Sequence, residues 1–219
     1  KTVSQAQELG KLFKEVGKLY GLNVSISCTD MNQPLGNTAG LWCEVIESFE
    51  CLKGNGPKDV MIVVYHLGLA ALKLAKIHNP EERLRASISD GSALEKFRQM
   101  VTAHGGSLKS LDNPETHKPL FRQEVRAETE GYISSMDTLN LGMAVVHLGG
   151  GRLKKDELLD PTVGIVFHKK IGDAVYAGEP LLEYFCSDKD KFESSKLYFM
   201  ESIQIKSEQP RRIELIHSR

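Results

Sequence analysis

Between Asp59 and Ile77 the sequence reads DVMIVVYHLGLAALKLAKI, a nearly all-apolar run at helical spacing with hardly a polar face. A helix that is apolar around most of its circumference has to be covered around most of it. The stretch therefore calls for a layered fold rather than an isolated surface helix. Asp59, Lys73 and Lys76 break the run, so no uninterrupted apolar stretch approaches the roughly 18–20 residues needed to cross a bilayer, and burial must come from protein.

The flanking sequence supplies candidate layers. Residues 3–20 place Val3, Ala6, Leu9, Leu12, Phe13, Val16, Leu19 and Tyr20 on one helical stripe, with Ser4 as a cap and Gly21 as a stop. Asn23 to Cys28, NVSISC, alternates and is β-branched enough for a strand, and Thr29 to Ala39, TDMNQPLGNTA, is a polar loop. Helix, glycine stop, strand and loop form one α/β unit, with the loop at the carboxyl edge of the sheet, where such folds bind ligands. Leu41 to Leu52 is helical and stops at KGNGP, and further helices follow from Pro80 to Asp90 and from Ser92 to Gly105-Gly106.

Residues 107–119, SLKSLDNPETHKP, have little to bury and mark a boundary. Beyond it, Phe121–Ala127 and Gly131–Met136 read as strands and Leu139–Leu148 as a helix. Residues 168–186 read as β-turn-β around Gly172-Asp173 and Gly178-Glu179, Ser194–Ile205 as a last helix, and Ile213–Ile216 as a strand. The expected fold class is α/β followed by α+β, with units at 1–106 and 120–219 joined by a linker at 107–119.

With 28 Lys+Arg against 29 Asp+Glu, the formal charge of −1 leaves no electrostatic footprint for nucleic acid or an anionic membrane. No signal-peptide core is visible, so a cytoplasmic protein is expected. Cys28, Cys43, Cys51 and Cys186 form no C-x-x-C pair, which points to free thiols rather than zinc or disulfides. The chain opens at Lys1, without methionine and almost inside a helical pattern, which reads as a piece of something longer.

The richest polar loop is 29–40, followed by Glu44 and Glu47. Its glycines let carbonyl oxygens approach a small ion, and a carboxylate one turn into the next helix can add a hard ligand. The residues alone leave two readings open: a loop tied by side-chain-to-backbone bonds, or a cation or ligand site. Gly149-Gly150-Gly151-Arg152 reads as a tight turn, with an anion cradle as its sharper alternative, since the dinucleotide and P-loop spacings are absent. His66 reads as a satisfied histidine within the apolar helix, and His168-Lys169-Lys170 as a solvated strand end. No catalytic constellation emerges from the residues, so no catalytic residue is assigned and the substrate-binding residues stay unknown. Residues 170–181 look like the hairpin of biotinyl and lipoyl carriers, giving the second unit a hammerhead-like expectation. The comparable turn, Ser135-Met136-Asp137, has no lysine to modify.

TDMNQPLGNTAG at 29–40, GSAL at 91–94, EGYISSMDTLNLGMAVVHLGGGR at 130–152 and DPTVGIVFHKKIGDAVYAGEPL at 160–181 together resemble the thymidine and pyrimidine-nucleoside phosphorylase family. The likeness is to the C-terminal half of the family's chain. It implies part of a pentosyltransferase that splits pyrimidine nucleosides with phosphate as co-substrate, the phosphate and base donors belonging to an N-terminal half. Alone, this chain would then be inactive, and the complete enzyme a homodimer. It also implies a potassium site formed by Leu35 and Thr38 of the loop with Glu47. The chain departs from the family pattern at Leu41-Trp42-Cys43, where members commonly carry Asn-Ala-Leu, and at Thr38, where Ala is usual. A non-catalytic binding or scaffold module derived from the family is the alternative reading.

Overall fold

The computed structural model describes residues 2–217, so Lys1 lies outside it. The chain is a mixed helix-and-sheet protein. Its first part runs α1 (Val3–Leu19), β1 (Cys28–Thr29), β2 (Thr38–Gly40), α2 (Trp42–Leu52), α3 (Lys58–Leu74), α4 (Pro80–Ser89), α5 (Ser92–Ala103) and α6 (Leu108–Asp112). The remainder runs β3 (Phe121–Arg126), β4 (Gly131–Met136), α7 (Thr138–Val145), β5 (Gly164–Phe167), β6 (Ala174–Val175), β7 (Pro180–Cys186), α8 (Lys189–Met200), β8 (Ile203–Lys206) and β9 (Ile216–His217).

Helix α1 begins in a capping box. The Thr2 hydroxyl accepts from Gln5 N and the Gln5 side chain from Thr2 N, so Thr2 takes the role expected of Ser4. Gly17 lets α1 lie directly on the following segment: a Cβ there would come within 2.3 Å of the Val24 side chain. The strand expected at 23–28 is reduced to Cys28–Thr29, which pairs with β9. Residues 23–27 join no ladder among the described residues, because no neighbouring strand presents backbone to them.

The expected burial of the apolar helix is also corrected. Only Val63 of α3 is buried, while Ile62, Val64, Leu67 and Leu74 are exposed. One side is covered by α4, whose Leu84 approaches so closely that a Cβ on Gly68 would lie 3.0 Å from it. The segment at 107–119 buries more than its composition suggested: α6 forms there and Leu111 is 4% exposed.

All described strand pairs are antiparallel. They form a four-stranded sheet β2-β5-β7-β3, a three-stranded sheet β6-β4-β8, and the pair β1-β9. Two expectations change here. In 168–186 the expected turns are present, Asp173 N donating to the Lys170 carbonyl and Glu179 N to the Tyr176 carbonyl, but the strands they flank pair in different sheets rather than with each other: two-residue β6 pairs with β4, while β7 inserts between β5 and β3. Pro180, which opens β7, has no N–H to give a hairpin ladder. The helix expected at Ser194–Ile205 instead starts at Lys189, where the Asp188 carboxylate accepts from Asp190 N and Lys191 N, and stops at Met200. Ile203 and Ile205 then alternate inward as β8.

The main core lies between these sheets and helices α7 and α8. Tyr184 is its centre, stacked on Phe199 at 4.1 Å and on Phe192 at 5.0 Å between ring centroids, with its hydroxyl donating to Gln123. Strand β2 carries the end of the 29–40 loop onto this body by pairing Thr38–Gly40 with Gly164–Val166 of β5.

Candidate functional site

The 29–40 loop is closed by carboxylates that accept from its own backbone. Asp30 takes Asn32 N at 2.9 Å, Asp59 takes Gly36 N at 3.1 Å, Glu47 takes Asn37 N at 2.8 Å, and Glu44 takes Gly40 N at 2.8 Å. Part of the polar loop is thus strand rather than loop: Thr38–Gly40 hydrogen-bonds across to β5. Gly36 has φ +80°, and a Cβ there would collide with Glu47 Oε2 at 2.1 Å. Loop and helix α2 meet at this glycine.

Among the expected ligands, Thr38 and Glu47 come together, while the Leu35 side chain is exposed in the turn between Pro34 and Gly36. Burial raises the Glu47 carboxyl above its ordinary range, opposed by the Asn37 N–H, the Thr38 side chain and the charge of Lys170, and reinforced by Asp59. Thr38 Oγ1 is buried without a well-formed hydrogen bond among the described residues, although its hydroxyl is close enough to favour the ionised Glu47. Among the described residues no group of three or more His, Cys, Asp and Glu is arranged to hold a metal ion, so a cation at this loop would rest mainly on carbonyl oxygens.

A cation already stands there. Lys170, expected on a solvated strand end, instead turns inward with its side chain only 19% exposed. Its Nζ donates to the carbonyls of Pro34 and Gly36, which flank Leu35, and lies 3.4 Å from Asp59 Oδ2. The Phe167 ring lies 5.7 Å from it. Burial pulls the Lys170 ammonium below the usual lysine range, while Asp59, Glu47 and Asp173 pull the other way. Lys170 is placed by the turn that follows β5, where its N–H donates to Asp173 Oδ2 at 2.7 Å and Ile171 N donates to Gln33 Oε1 at 3.1 Å. Sequence reasoning missed Lys170 and Asp59 as members of this site.

The other candidates are structural. Arg152 Nε donates to the Glu157 carbonyl at 3.2 Å, and Glu157 pairs with Lys191 at 2.9 Å, so the glycine run is a tied turn. His66 Nε2 is hydrogen-bonded to Ser27 Oγ at 2.9 Å. Trp42, at the departure from the family pattern, packs edge-on against His117 at 4.9 Å between ring centroids. Together with Glu47, Glu50 and Arg122 it lines a cleft of about 510 Å³ beside the loop. All four cysteines are free. Among the described residues no helix is long and apolar enough to cross a membrane.

Comparison with known proteins agrees with this architecture. Residues 132–206, from β4 to β8, match the family described as the pyrimidine nucleoside phosphorylase C-terminal domain. Pyrimidine-nucleoside phosphorylases of Staphylococcus aureus strains USA300, NCTC 8325 / PS 47 and COL are each 37% identical over 195 residues. Those residues make up 87% of this chain and 45% of each relative. The chain spans about half the length of the curated relatives it matches.

Proposed function

As the chain belongs to the pyrimidine-nucleoside phosphorylase family, we propose that it is the portion of a pentosyltransferase that frames the cleft rather than the portion that holds the reactants. The reaction moves a ribosyl or deoxyribosyl group from a pyrimidine base to phosphate. Negative charge grows on the departing base and the sugar becomes oxocarbenium-like, so cationic donors must face both base and phosphate. This chain's motifs offer no such constellation, and on this reading the donors come from the part of the enzyme that the match does not cover.

The observation that carries the reading is the identity of 37% over 195 residues, almost the whole of this chain. The exposed apolar faces of α1 and α3 support it. Leu9 and Phe13 of α1 and Leu67 and Leu74 of α3 line one groove floored by Ile26 and Cys28. A groove of that composition fits a covering piece of protein.

A phosphorolysis assay with thymidine and uridine tests the proposal. The chain is assayed alone and after co-expression with the unmatched portion of a Staphylococcus aureus relative. Turnover is expected only in the second case. Turnover by this chain alone, or none with both pieces joined in a stable complex, overturns it.

A further inference from the structure

We propose that the Lys170 ammonium is the resident cation of the 34–36 turn, so that this chain closes its loop with a side chain where a diffusible monovalent ion would otherwise be needed. The proposal concerns the folding of the loop and stands independently of whether the complete protein performs phosphorolysis.

The geometry is that of a cation site. Two backbone carbonyls, those of Pro34 and Gly36, converge on one positive centre, as carbonyls do when they replace the hydration shell of a monovalent ion. Asp59 Oδ2, at 3.4 Å, provides the third oxygen. An ammonium has three N–H donors and no acceptor, so these three oxygens match its donor count. Asp59 also accepts from Gly36 N and from Val60 N, which fixes the carboxylate against both the turn and the start of α3. The turn is thus curled around Nζ from two sides.

The carbonyls and Lys170 are separated by 134 and 136 residues, so the contact also ties the loop to the turn after β5. Neighbouring Lys169 does something different. It pairs with Glu179 at 2.6 Å and donates to the Ala174 carbonyl, away from the loop. Lys169 is therefore the internal control.

The charge of Lys170 already acts on Glu47, and its ammonium holds the two carbonyls on either side of Leu35, so a potassium ion added at Leu35, Thr38 and Glu47 meets a like charge in the same turn. The Pro34 and Gly36 carbonyls and Asp59 are taken by Lys170, the positive charge the turn needs is already present, and potassium is not expected to add stability.

The test is thermal unfolding of the full 219-residue chain in potassium, sodium, ammonium and choline chloride at equal ionic strength, with Lys170→Met and Lys169→Met alongside. The wild type should melt within about 1 °C across the four salts. Lys170→Met should lose about 2–4 °C in choline and regain at least half of it in potassium or ammonium. Lys169→Met should show no cation preference. If Lys170→Met does not fold in choline, refolding yield in potassium against choline is read instead, and recovery in potassium supports the proposal. A wild type stabilised selectively by potassium overturns it. So does a Lys170→Met variant as stable as the wild type, or one that neither potassium nor ammonium restores.

Discussion

Gly36 and Glu47 are packed so tightly that a Cβ on the glycine would lie 2.1 Å from Glu47 Oε2, and 2.9 Å from Val60 on the other side. The backbone there is left-handed, at φ +80°, a conformation that costs any other residue strain. Gly36→Ala is therefore expected to destabilise the chain by about 2–4 kcal/mol, combining strain with a forced shift of the carboxylate. Urea denaturation at neutral pH measures it. A loss below about 0.5 kcal/mol would show that loop and helix α2 separate freely.

Phe199 is fully buried and stacks on Tyr184 with an interplanar angle of 13°. Removing the ring leaves a cavity at the centre of the largest apolar cluster. Phe199→Ala should cost about 3–5 kcal/mol and Phe199→Leu clearly less. The pair is compared by thermal unfolding. Equal losses would mean that Tyr184 and Phe192 close over the space.

Local pattern carried much of the fold. Gly131–Met136 reads as a strand from sequence and is one, and the capped, stripe-bearing helix at 3–20 appears as Val3–Leu19. What escaped depends on partners far away in the chain. Thr38–Gly40 looks like loop because three residues carry no period, and it becomes a strand only through Gly164–Val166. At the candidate site, Glu47 is announced by its position in the helix that directly follows a glycine-rich loop. Lys170 is not announced at all: its neighbours His168 and Lys169 suggest a wet strand end, and its acceptors lie 134 and 136 residues upstream. The apolar run at 59–77 signals a need for cover, but among the described residues α4 covers one side while Ile62, Val64, Leu67 and Leu74 stay exposed, so pattern alone overstates its burial.

Two thiols should make the chain sensitive to alkali. Burial, with Glu44 close by, pushes Cys43 up to about 11, and burial, with Asp160 and Asp188 close by, pushes Cys186 up to about 11. Both exceed the value of 9.0 for an unperturbed thiol. The unfolded chain therefore ionises first, and the stability present below pH 9 is lost progressively as pH rises to about 11. Urea midpoints should hold steady from pH 7 to about 8.5 and then fall, with a shallower fall in Cys43→Ala. A midpoint that rises through this window would contradict the burial of both thiols.

The last prediction separates what holds this chain together from what it offers to other protein. Phe13 is 56% and Leu67 46% exposed, so each forms only part of the contacts a core residue makes. Both line the groove between α1 and α3. Phe13→Ser and Leu67→Ser should leave the unfolding free energy of the isolated chain within about 0.5 kcal/mol of wild type. If the complementary portion of a longer relative seats in that groove, each substitution removes apolar area that is buried only in the complex. Roughly 1–2 kcal/mol of association energy is then lost, about five- to thirtyfold in Kd. Calorimetric unfolding of the chain and titration with the complementary portion read the two effects on the same preparations. Unchanged affinity would move the docking surface elsewhere. A large loss of stability in the isolated chain would mean instead that these side chains already complete its own core.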